Sequence, residues 1–345
     1  MMPVPFRLLR ARGLTLIELL VVIAVMSAVT LASFSYVGED RAQIRHDDTQ
    51  RRLEVLRRAI VGSATPVWAG EFRLSGFVSD NGVLPENLQQ LVTSPAGLAQ
   101  RGVLTARFDR SPLGSDCSSE GSDVVDLAGE GGLLVKGHRG DYLAGLAVNG
   151  VFRDGWGNRA AGDDVLNFGW RVTAGAGSLA VASLGAHNEL GNGVTEWDTD
   201  RGFDLDAGSW SSPLGGWTVR LVNRSGADIV AGTWRASLLV FRNDSSGGRW
   251  LRYTSTPFTA SLLSPLVSGT ATPLAFAATG CYPGDTANTA VARIPAGRHV
   301  LVLVQDSDTT PHNSTDGLYS PGAPSVTPVS VFSATQLPDV ELVIR

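Results

Sequence analysis

The longest apolar run of the chain lies near its N-terminus, where residues 14–37 read LTLIELLVVIAVMSAVTLASFSYV. It contains no Lys, Arg or Asp, and its one side chain that is charged at neutral pH is Glu18. A helix needs about 20 apolar residues to cross a bilayer, so the pattern predicts a membrane-spanning helix over this run. The preceding residues, 1–13, carry three arginines and no acidic residue, which predicts that they stay in the cytoplasm and that the chain after residue 37 faces outward.

A more polar helical pattern follows the apolar run. Between residues 39 and 60, apolar or small side chains recur at helical spacing on one face, and charged residues occupy the rest. We therefore predict one stalk helix over residues 14–61, with the apolar segment as its first part. Ser35 and Gly38 lie where the two parts meet, and a glycine weakens a helix interior by about 1 kcal/mol relative to alanine. The predicted buried face contains Ala42, Thr49, Leu53, Leu56 and Ile60.

The C-terminal part of the chain has the pattern of β structure. Beyond residue 206, short apolar or alternating runs are separated by turn residues and predict strands at 217–222, 236–241, 299–304 and 340–344. Several such strands within residues 207–345 predict a β-sandwich of immunoglobulin-like or related type. Residues 94–140 show little periodicity and are predicted to form a surface loop.

Composition supports β structure outside the long helix. The 345 residues include 40 glycines and 17 prolines, and 18% are charged, which is typical of a turn-rich β protein rather than a helical bundle. The predicted fold class is therefore α+β. The formal net charge is −5 and no dense cluster of Lys and Arg follows Arg58, so we expect no binding to nucleic acid.

The two cysteines, Cys117 and Cys281, lie far apart in the sequence. In an exported protein a disulfide between them would persist, and it would stabilise the fold by about 2 to 4 kcal/mol by closing a long loop. The alternative is that both thiols stay free. Neither cysteine belongs to a C-x-x-C pair or a Cys/His cluster, so the sequence does not point to zinc or redox chemistry.

The N-terminal residues resemble the type III signal of the type IV pilin superfamily. The resemblance rests on a basic leader that ends in Gly13, an apolar run that starts at Leu14, and a carboxylate, Glu18, five residues into that run. It implies that prepilin peptidase cleaves between Gly13 and Leu14, that Leu14 becomes N-methylated, and that Glu18 pairs with the N-terminal amine of a neighbouring subunit during assembly. The alternatives are a plain signal anchor or a secretory signal peptide cut near Ala32, but neither explains a carboxylate inside the apolar run.

Three later segments resemble the major pseudopilins of type II secretion systems. They are the Asn-Gly and Leu-rich stretch at 81–92, the Asp-Gly-Trp-Gly-Asn turn at 154–158, and the Ser-Leu-Gly-Ala strand end at 183–186. The resemblance implies a pilin-like antiparallel β head over residues 62–206. In that turn, we expect Asp154 and Asn158 to form hydrogen bonds and Trp156 to fill the apolar space beneath.

In that subfamily the strand end opens a calcium-binding loop, and residues 187–200 are rich in oxygen donors and glycine. The ligands implied by the resemblance are the Leu184 carbonyl, Asp198 and Asp200. This chain departs from the pattern at His187, where the family places an aspartate, so Asn188 or Glu189 is expected to substitute. The alternative is a solvated acidic loop without a metal. Calcium is the one cofactor that the sequence suggests.

Two function classes follow from these expectations. The first is a pilin-like structural subunit, minor because of its size, of a type II secretion pseudopilus or a type IV pilus. The second is an adhesin or substrate-recognition protein that displays its β-sandwich on a pilin-type stalk. The expected partners are prepilin peptidase, other pilin or pseudopilin subunits, the inner-membrane assembly machinery and, before assembly, membrane lipid. We expect no enzyme, because the five histidines are scattered and no nucleophile motif is present.

Overall fold

The computed structural model describes the long helix, the short helices and the strands of the chain. The described residues are 15–63, 67–68, 71–72, 74–93, 97–100, 102–103, 106–107, 124–125, 135–143, 145–147, 151–157, 169–187, 201–244, 247–263, 272–276, 293–306, 317–319, 326–333 and 336–344.

Helix α1 spans Leu16–Val61 and has 46 residues, so it is roughly 70 Å long at 1.5 Å per residue. Thr15 caps its start, because its backbone is extended and its hydroxyl accepts a hydrogen bond from the Glu18 N–H at 3.3 Å. The Glu18 carboxylate completes a capping box by accepting from the Thr15 N–H at 2.9 Å. Gly62 caps the C-terminal end of the helix, and its φ of 88° lies in the region that favours glycine.

The two halves of α1 have different surroundings. The described side chains from Leu16 to Leu31 are all exposed, although most of them are apolar. The second half presents a buried face at helical spacing, as predicted, with Ala42 only half-buried. The helix continues through Ser35 and Gly38 without a break. The buried residues of the second half are His46, Thr49, Leu53, Leu56, Ala59 and Ile60.

In the described part of the chain, three short helical segments follow α1. Helix α2 spans Phe77–Asn81, a 3-10 helix spans Leu88–Leu91, and α3 spans Ala207–Trp210. Leu88 and Leu91 of the 3-10 helix share one buried apolar cluster with residues from the second half of α1. They belong to the first core, an apolar cluster formed by Leu53, Leu56, Ala59, Ile60, Phe77, Val78, Leu88, Leu91, Leu98, Tyr142, Leu143, Phe152, Trp170, Leu179, Val181 and Leu205.

Short antiparallel strands lie between α1 and residue 206 in the described part of the chain. Three two-stranded ladders pair β1 with β2, β3 with β6 and β4 with β5, and a three-stranded sheet has the order β7-β8-β9. The strands are β1 Val67–Trp68, β2 Glu71–Phe72, β3 Gly102–Val103, β4 Ala106–Arg107, β5 Val124–Val125, β6 Val135–Lys136, β7 Trp170–Gly175, β8 Ser178–Ser183 and β9 Gly202–Leu205.

Longer strands fill the C-terminal part. One sheet has the order β15-β11-β20, with β11 and β20 parallel. A six-stranded sheet runs β13-β12-β17-β18, with β14 also on β12 and β19 also on β17, and β10 pairs with β16. The strands are β10 Ser211–Pro213, β11 Thr218–Asn223, β12 Ile229–Asp244, β13 Gly247–Thr254, β14 Phe258–Leu263, β15 Thr272–Ala275, β16 Arg293–Pro295, β17 Gly297–Asp306, β18 Gly317–Leu318, β19 Val326–Val331 and β20 Val340–Ile344.

The two larger C-terminal sheets share a second core. Alternate residues of β11 and β20, such as Leu221 and Leu342, contribute to the same cluster as Leu238 of β12 and Leu301 of β17. Leu238 and Leu301 are direct cross-strand partners in the larger sheet. The four strands predicted from sequence all exist, with their ends shifted by a few residues at most except in β12, which extends well beyond the prediction.

The prediction of a surface loop over residues 94–140 is wrong at both of its described ends. Leu98 belongs to the first core, and Lys136 and His138 are 2% and 1% exposed. The cause is tertiary contact: the Gly137 N–H donates to Asp80 O at 2.9 Å, and the His138 N–H donates to Ala99 O at 2.8 Å. The centre of the segment, including Cys117, lies outside the described residues.

Candidate assembly helix and calcium loop

The exposed half of α1 is the first candidate site. Its described side chains include Leu16, Ile17, Leu19 and Leu20, which are 82%, 70%, 53% and 61% exposed. Burying such side chains is favourable by about 1.5 to 3 kcal/mol each, so this surface is suited to contact with lipid or with another apolar helix. Among the residues that the structure describes, no helix meets both the length and the hydropathy expected of a membrane span.

Glu18 lies on this apolar surface, and its charge is satisfied locally. One carboxylate oxygen accepts from the Thr15 N–H at 2.9 Å and from the Thr15 hydroxyl at 3.1 Å. The side chain therefore folds back over the helix start, where the N-terminal end of the helix dipole favours a negative charge. Gly13 and Leu14, the predicted processing residues, lie just outside the described part of the chain.

The second candidate site is the loop between β8 and β9, predicted to bind calcium. Leu184, whose carbonyl is one predicted ligand, follows β8 directly, and its N–H donates to Gly169 O at 3.2 Å. The other predicted ligands, Asn188, Asp198 and Asp200, and the alternative Glu189 lie outside the described residues. Within the described chain, no group of three or more His, Cys, Asp or Glu side chains could hold a metal ion.

Polar contacts fix both described ends of this loop. At the start, the Ser183 hydroxyl donates to the buried Asp154 carboxylate at 2.9 Å and accepts from the Gly185 N–H at 3.1 Å. At the far end, the Arg201 guanidinium donates to His46 Nε2 on α1 at 3.0 Å. The loop is thus anchored to the turn at residue 154 and to the stalk helix.

The turn at residues 154–157 packs directly on the stalk. The Gly155 N–H donates to the Thr49 hydroxyl at 3.0 Å, and a Cβ on Gly155 would lie 2.2 Å from Arg45 O. Trp156 is half-buried, and its ring lies under the Arg45 guanidinium at 6.0 Å, an arrangement that differs from the expected filling of apolar space. Trp170 is the fully buried tryptophan of the first core instead. Asn158 lies outside the described residues, as does the second cysteine, Cys281.

Comparison with known families decides what the N-terminal pattern is. Residues 8–34 match the family model for the prokaryotic N-terminal methylation motif. The chain carries a prepilin-type signal. This is the signal of type IV pilins and pseudopilins, and it implies processing by prepilin peptidase and assembly with other pilin subunits. No curated protein and no solved structure is significantly similar to the chain.

The prepilin motif and the structure overlap at the start of α1. The motif extends from the basic leader to residue 34, so the exposed apolar surface from Leu16 to Leu31 lies within it. The prepilin signal indicates a protein that is anchored in the inner membrane and later associated with a pilus. The part of α1 that contributes to the first core begins only beyond the motif.

A group of buried polar residues that the sequence did not predict lies between the two cores. We call this group, Asn81, Lys136, Asn243 and His299, the junction. Its centre is Asn243 on β12, which is fully buried. The Asn243 amide donates to Asn81 Oδ1 at 2.8 Å and to Ala99 O at 3.0 Å, and its oxygen accepts from the Ala99 N–H at 2.8 Å. Gly82, the residue after Asn81, lies so close to β12 that a Cβ on it would be 2.0 Å from Phe241 O. The contact of Asn243 with the first core depends on partners that are distant in sequence. A single sequence carries no signal for such pairing.

Lys136 and His299 form the charged part of the junction. The Lys136 ammonium is buried and donates to Ser79 O at 2.8 Å. Burial lowers the pKa of Lys136 to about 8, with Asp80 opposing and Arg298 reinforcing the shift. Burial and the nearby Lys136 charge lower the pKa of His299 to about 3, although its hydrogen bond to Pro295 O at 2.8 Å opposes the shift.

Proposed function

We propose that this chain is a minor, pilin-like subunit of a type II secretion pseudopilus or a type IV pilus. Prepilin peptidase cleaves it between Gly13 and Leu14, and Leu14 is then N-methylated. Before assembly the protein is a single-pass inner-membrane protein with a cytoplasmic N-terminus, held in lipid by residues 14–37. It then joins other pilin or pseudopilin subunits through the same segment, with the help of the inner-membrane assembly machinery.

The division of α1 is the observation that carries this proposal. A prepilin-type signal leads into a single unbroken helix whose first half is apolar and exposed, while its second half is part of a folded core. An apolar surface of this kind is costly in water and stable in lipid or against the helices of other subunits. The first half of the helix therefore supplies both a membrane anchor and a surface for assembly. Its second half connects the folded region to that segment without a break.

Glu18 has a specific role in this proposal. A carboxylate within an apolar helix is costly unless it is paired. In the isolated chain its charge is satisfied by Thr15, at the very end of the helix. After cleavage a free amine lies at Leu14, and we infer that Glu18 pairs with the amine of a neighbouring subunit in the filament, as the superfamily resemblance implies.

The size of the region beyond the stalk supports a minor rather than a major role. In this proposal the first core, with α2 and the sheet β7-β8-β9, serves as the pilin-like head. The second core, enclosed by two sheets as in a β-sandwich, adds a bulky unit that would be difficult to repeat along a tightly packed filament. We therefore place the subunit at a filament tip or in few copies, and recovery of the chain as the bulk component of purified filaments would contradict this placement.

We further propose that the loop after Leu184 binds calcium through the Leu184 carbonyl, Asp198, Asp200 and Asn188. The anchoring of Ser183 by Asp154 and of Arg201 by His46 supports this, because a loop fixed at both ends orders its ligands at a lower entropic cost. Calorimetric titration with CaCl₂ tests it. Heat of binding that disappears in Asp198→Asn supports the site, and its absence in the unchanged protein removes the site from the proposal.

An adhesin or substrate-recognition protein is the second candidate function. It is favoured by the second core, which is formed by residues from Leu214 onward and therefore lies far along the chain from the anchor. The two candidates share the same processing and anchoring and differ in what the C-terminal sheets do. Neither proposal assigns catalysis to the chain.

The deciding experiment is N-terminal mass analysis of the protein recovered from membranes of cells with and without prepilin peptidase. The proposal predicts a chain that begins with N-methylated Leu14 when the peptidase is present and an intact leader when it is absent. Cleavage near Ala32 would instead identify a secretory signal. An intact leader in both strains would identify a plain anchor. Either result would overturn the proposal.

A further inference from the structure

A cleft of about 270 Å³ lies between the two cores, apart from the helix surface used in the proposed assembly. One side is formed by the segment after α2 and by the β7-β8 hairpin, and the other by β12, β13 and β16. Its lining includes the buried side chains Leu251 and Tyr253 and the exposed side chains Glu86 and Arg242. Ligand sites are often found in concave surfaces where two folded units meet.

An aromatic side chain is held rigidly in the wall of the cleft. Trp210, at the end of α3, is half-buried, and its indole N–H donates to Gly177 O at 2.9 Å. This bond fixes the ring against the β7-β8 hairpin and satisfies its only polar atom. The ring can therefore contact an apolar face of a ligand without any loss of its own hydrogen bond.

The charges that line the cleft balance each other. Two guanidinium groups, of Arg242 and Arg293, accompany two carboxylates, of Glu86 and Asp244. Arg242 Nε lies 3.4 Å from an Asp244 oxygen, and Arg293 is fixed by bonds to Ser211 Oγ at 2.9 Å and Ser211 O at 2.8 Å. A charged ligand would meet groups of both signs, and a wholly apolar ligand would desolvate these groups without replacing their hydrogen bonds.

We propose that this cleft binds one unit of a neutral carbohydrate. A sugar ring carries hydroxyl groups that both donate and accept hydrogen bonds, and it has an apolar C–H face that fits an aromatic ring. The volume lies just below the range of about 300 to 1,000 Å³ that holds drug-sized ligands, so it accommodates a single ring rather than an extended chain. This inference does not depend on filament assembly, because every residue in it belongs to the folded region beyond the stalk.

The test uses the full-length protein in a detergent without a sugar headgroup. Saturation-transfer NMR and calorimetry are performed with neutral hexoses, N-acetylhexosamines and their disaccharides, and with an anionic sugar acid and a neutral tripeptide for comparison. We expect binding of a neutral sugar with a Kd of about 1 mM or below. No binding of any neutral sugar, or stronger binding of the sugar acid or the tripeptide, overturns the proposal.

A matched pair of variants locates the site. Arg242→Ala removes an exposed strand arginine that is ion-paired with Asp244 in the cleft, and it should weaken sugar binding about tenfold or more. Arg220→Ala removes an equally exposed strand arginine, paired with Glu341 at 3.6 Å and remote from the cleft, and binding should not change. Equal loss in both variants, or in neither, places any observed binding elsewhere. Glu86→Gln is a second cleft variant, and it too should weaken binding.

Discussion

Lys136 is the only lysine of the chain, and it is buried at the junction. Its folded-state pKa of about 8 lies below the ordinary value of 10.5. Between these two values the unfolded chain binds more protons than the folded one, so the free energy of unfolding rises as the pH increases through this window. Below pH 8 the folded protein carries the full cost of a buried charge, which is offset in part by Ser79 O and Asp80.

We predict that the free energy of unfolding rises by about 2 kcal/mol between pH 8 and about pH 9.5, and that Lys136→Met removes this rise. Methionine has a similar length and no charge to desolvate. Urea denaturation at a series of pH values measures the slope. Arg220→Met, on the exposed surface of β11, is the control and should retain the rise. A rise of equal size in Lys136→Met would mean that another group titrates in this window.

His299 gives a prediction in the acid range. Its folded-state pKa of about 3 lies below the ordinary 6.5, so stability is lost as the pH falls from 6.5 towards 3, where only the unfolded chain readily takes up the proton. We expect His299→Gln to flatten this loss, because glutamine can still donate to Pro295 O but does not titrate. Thermal unfolding between these pH values measures the effect. His187→Gln, at an exposed position, should leave the acid slope as it is.

At the scale of single elements, the contact between the turn at residue 154 and helix α1 depends on a missing side chain. A Cβ on Gly155 would meet backbone atoms of the helix, Arg45 O at 2.2 Å and Thr49 N at 2.8 Å. We predict that Gly155→Ala lowers the free energy of unfolding by about 1 to 3 kcal/mol, because the turn must move off the stalk. In Gly157→Ala the new Cβ would meet no atom within 4 Å, and the only strain comes from the φ of 71°. This variant should therefore lose less free energy of unfolding. Equal losses in the two variants would show that turn conformation, not the contact, sets the cost.

The Glu18 carboxylate at the start of α1 has two proposed roles, as a helix cap and as the partner of a neighbouring amine, and one substitution can separate them. Glu18→Gln keeps an oxygen that can accept from the Thr15 N–H, so the capping box is retained, but it removes the charge. If the proposed pairing with a neighbouring amine is correct, the variant is cleaved normally and its incorporation into filaments falls strongly. Immunoblots of sheared filaments and of membranes measure both quantities. Normal incorporation would show that Glu18 acts only as a cap.

The elements that sequence predicts best are those specified by local pattern. The long helix, its buried face and the four C-terminal strands follow from hydrophobic periodicity, and the N-terminal signal follows from a short and specific motif. Burial of Lys136 and His138 was not predictable, because it results from pairing between residues that are distant in sequence. The length of β12 was missed for a related reason, since it is set by its three partner strands, β13, β14 and β17, and by few local signals.

For the whole molecule, the question is whether the two cores behave as one rigid unit. Among the described residues, buried polar contacts help to join them, and Asn243 makes three of these, two to Ala99 and one to Asn81. Such a network orients the two units strongly when it is complete, and it is destabilising when one member is removed. A subunit at a filament tip would need this rigidity to present its C-terminal sheets in a fixed direction.

We therefore predict that Asn243→Ala both destabilises the protein, by about 2 to 4 kcal/mol, and loosens the junction. The single lysine makes the second effect measurable, because amine-reactive reagents modify Lys136 only when the junction opens, and peptide mapping separates it from the N-terminal amine. Asn223→Ala is the control: it removes an equally buried asparagine whose amide donates to Ala227 O within its own turn. It should destabilise the C-terminal sheets without speeding Lys136 modification under native conditions. If both variants speed it equally, the lysine reports general unfolding, and the two cores are joined by more than this network.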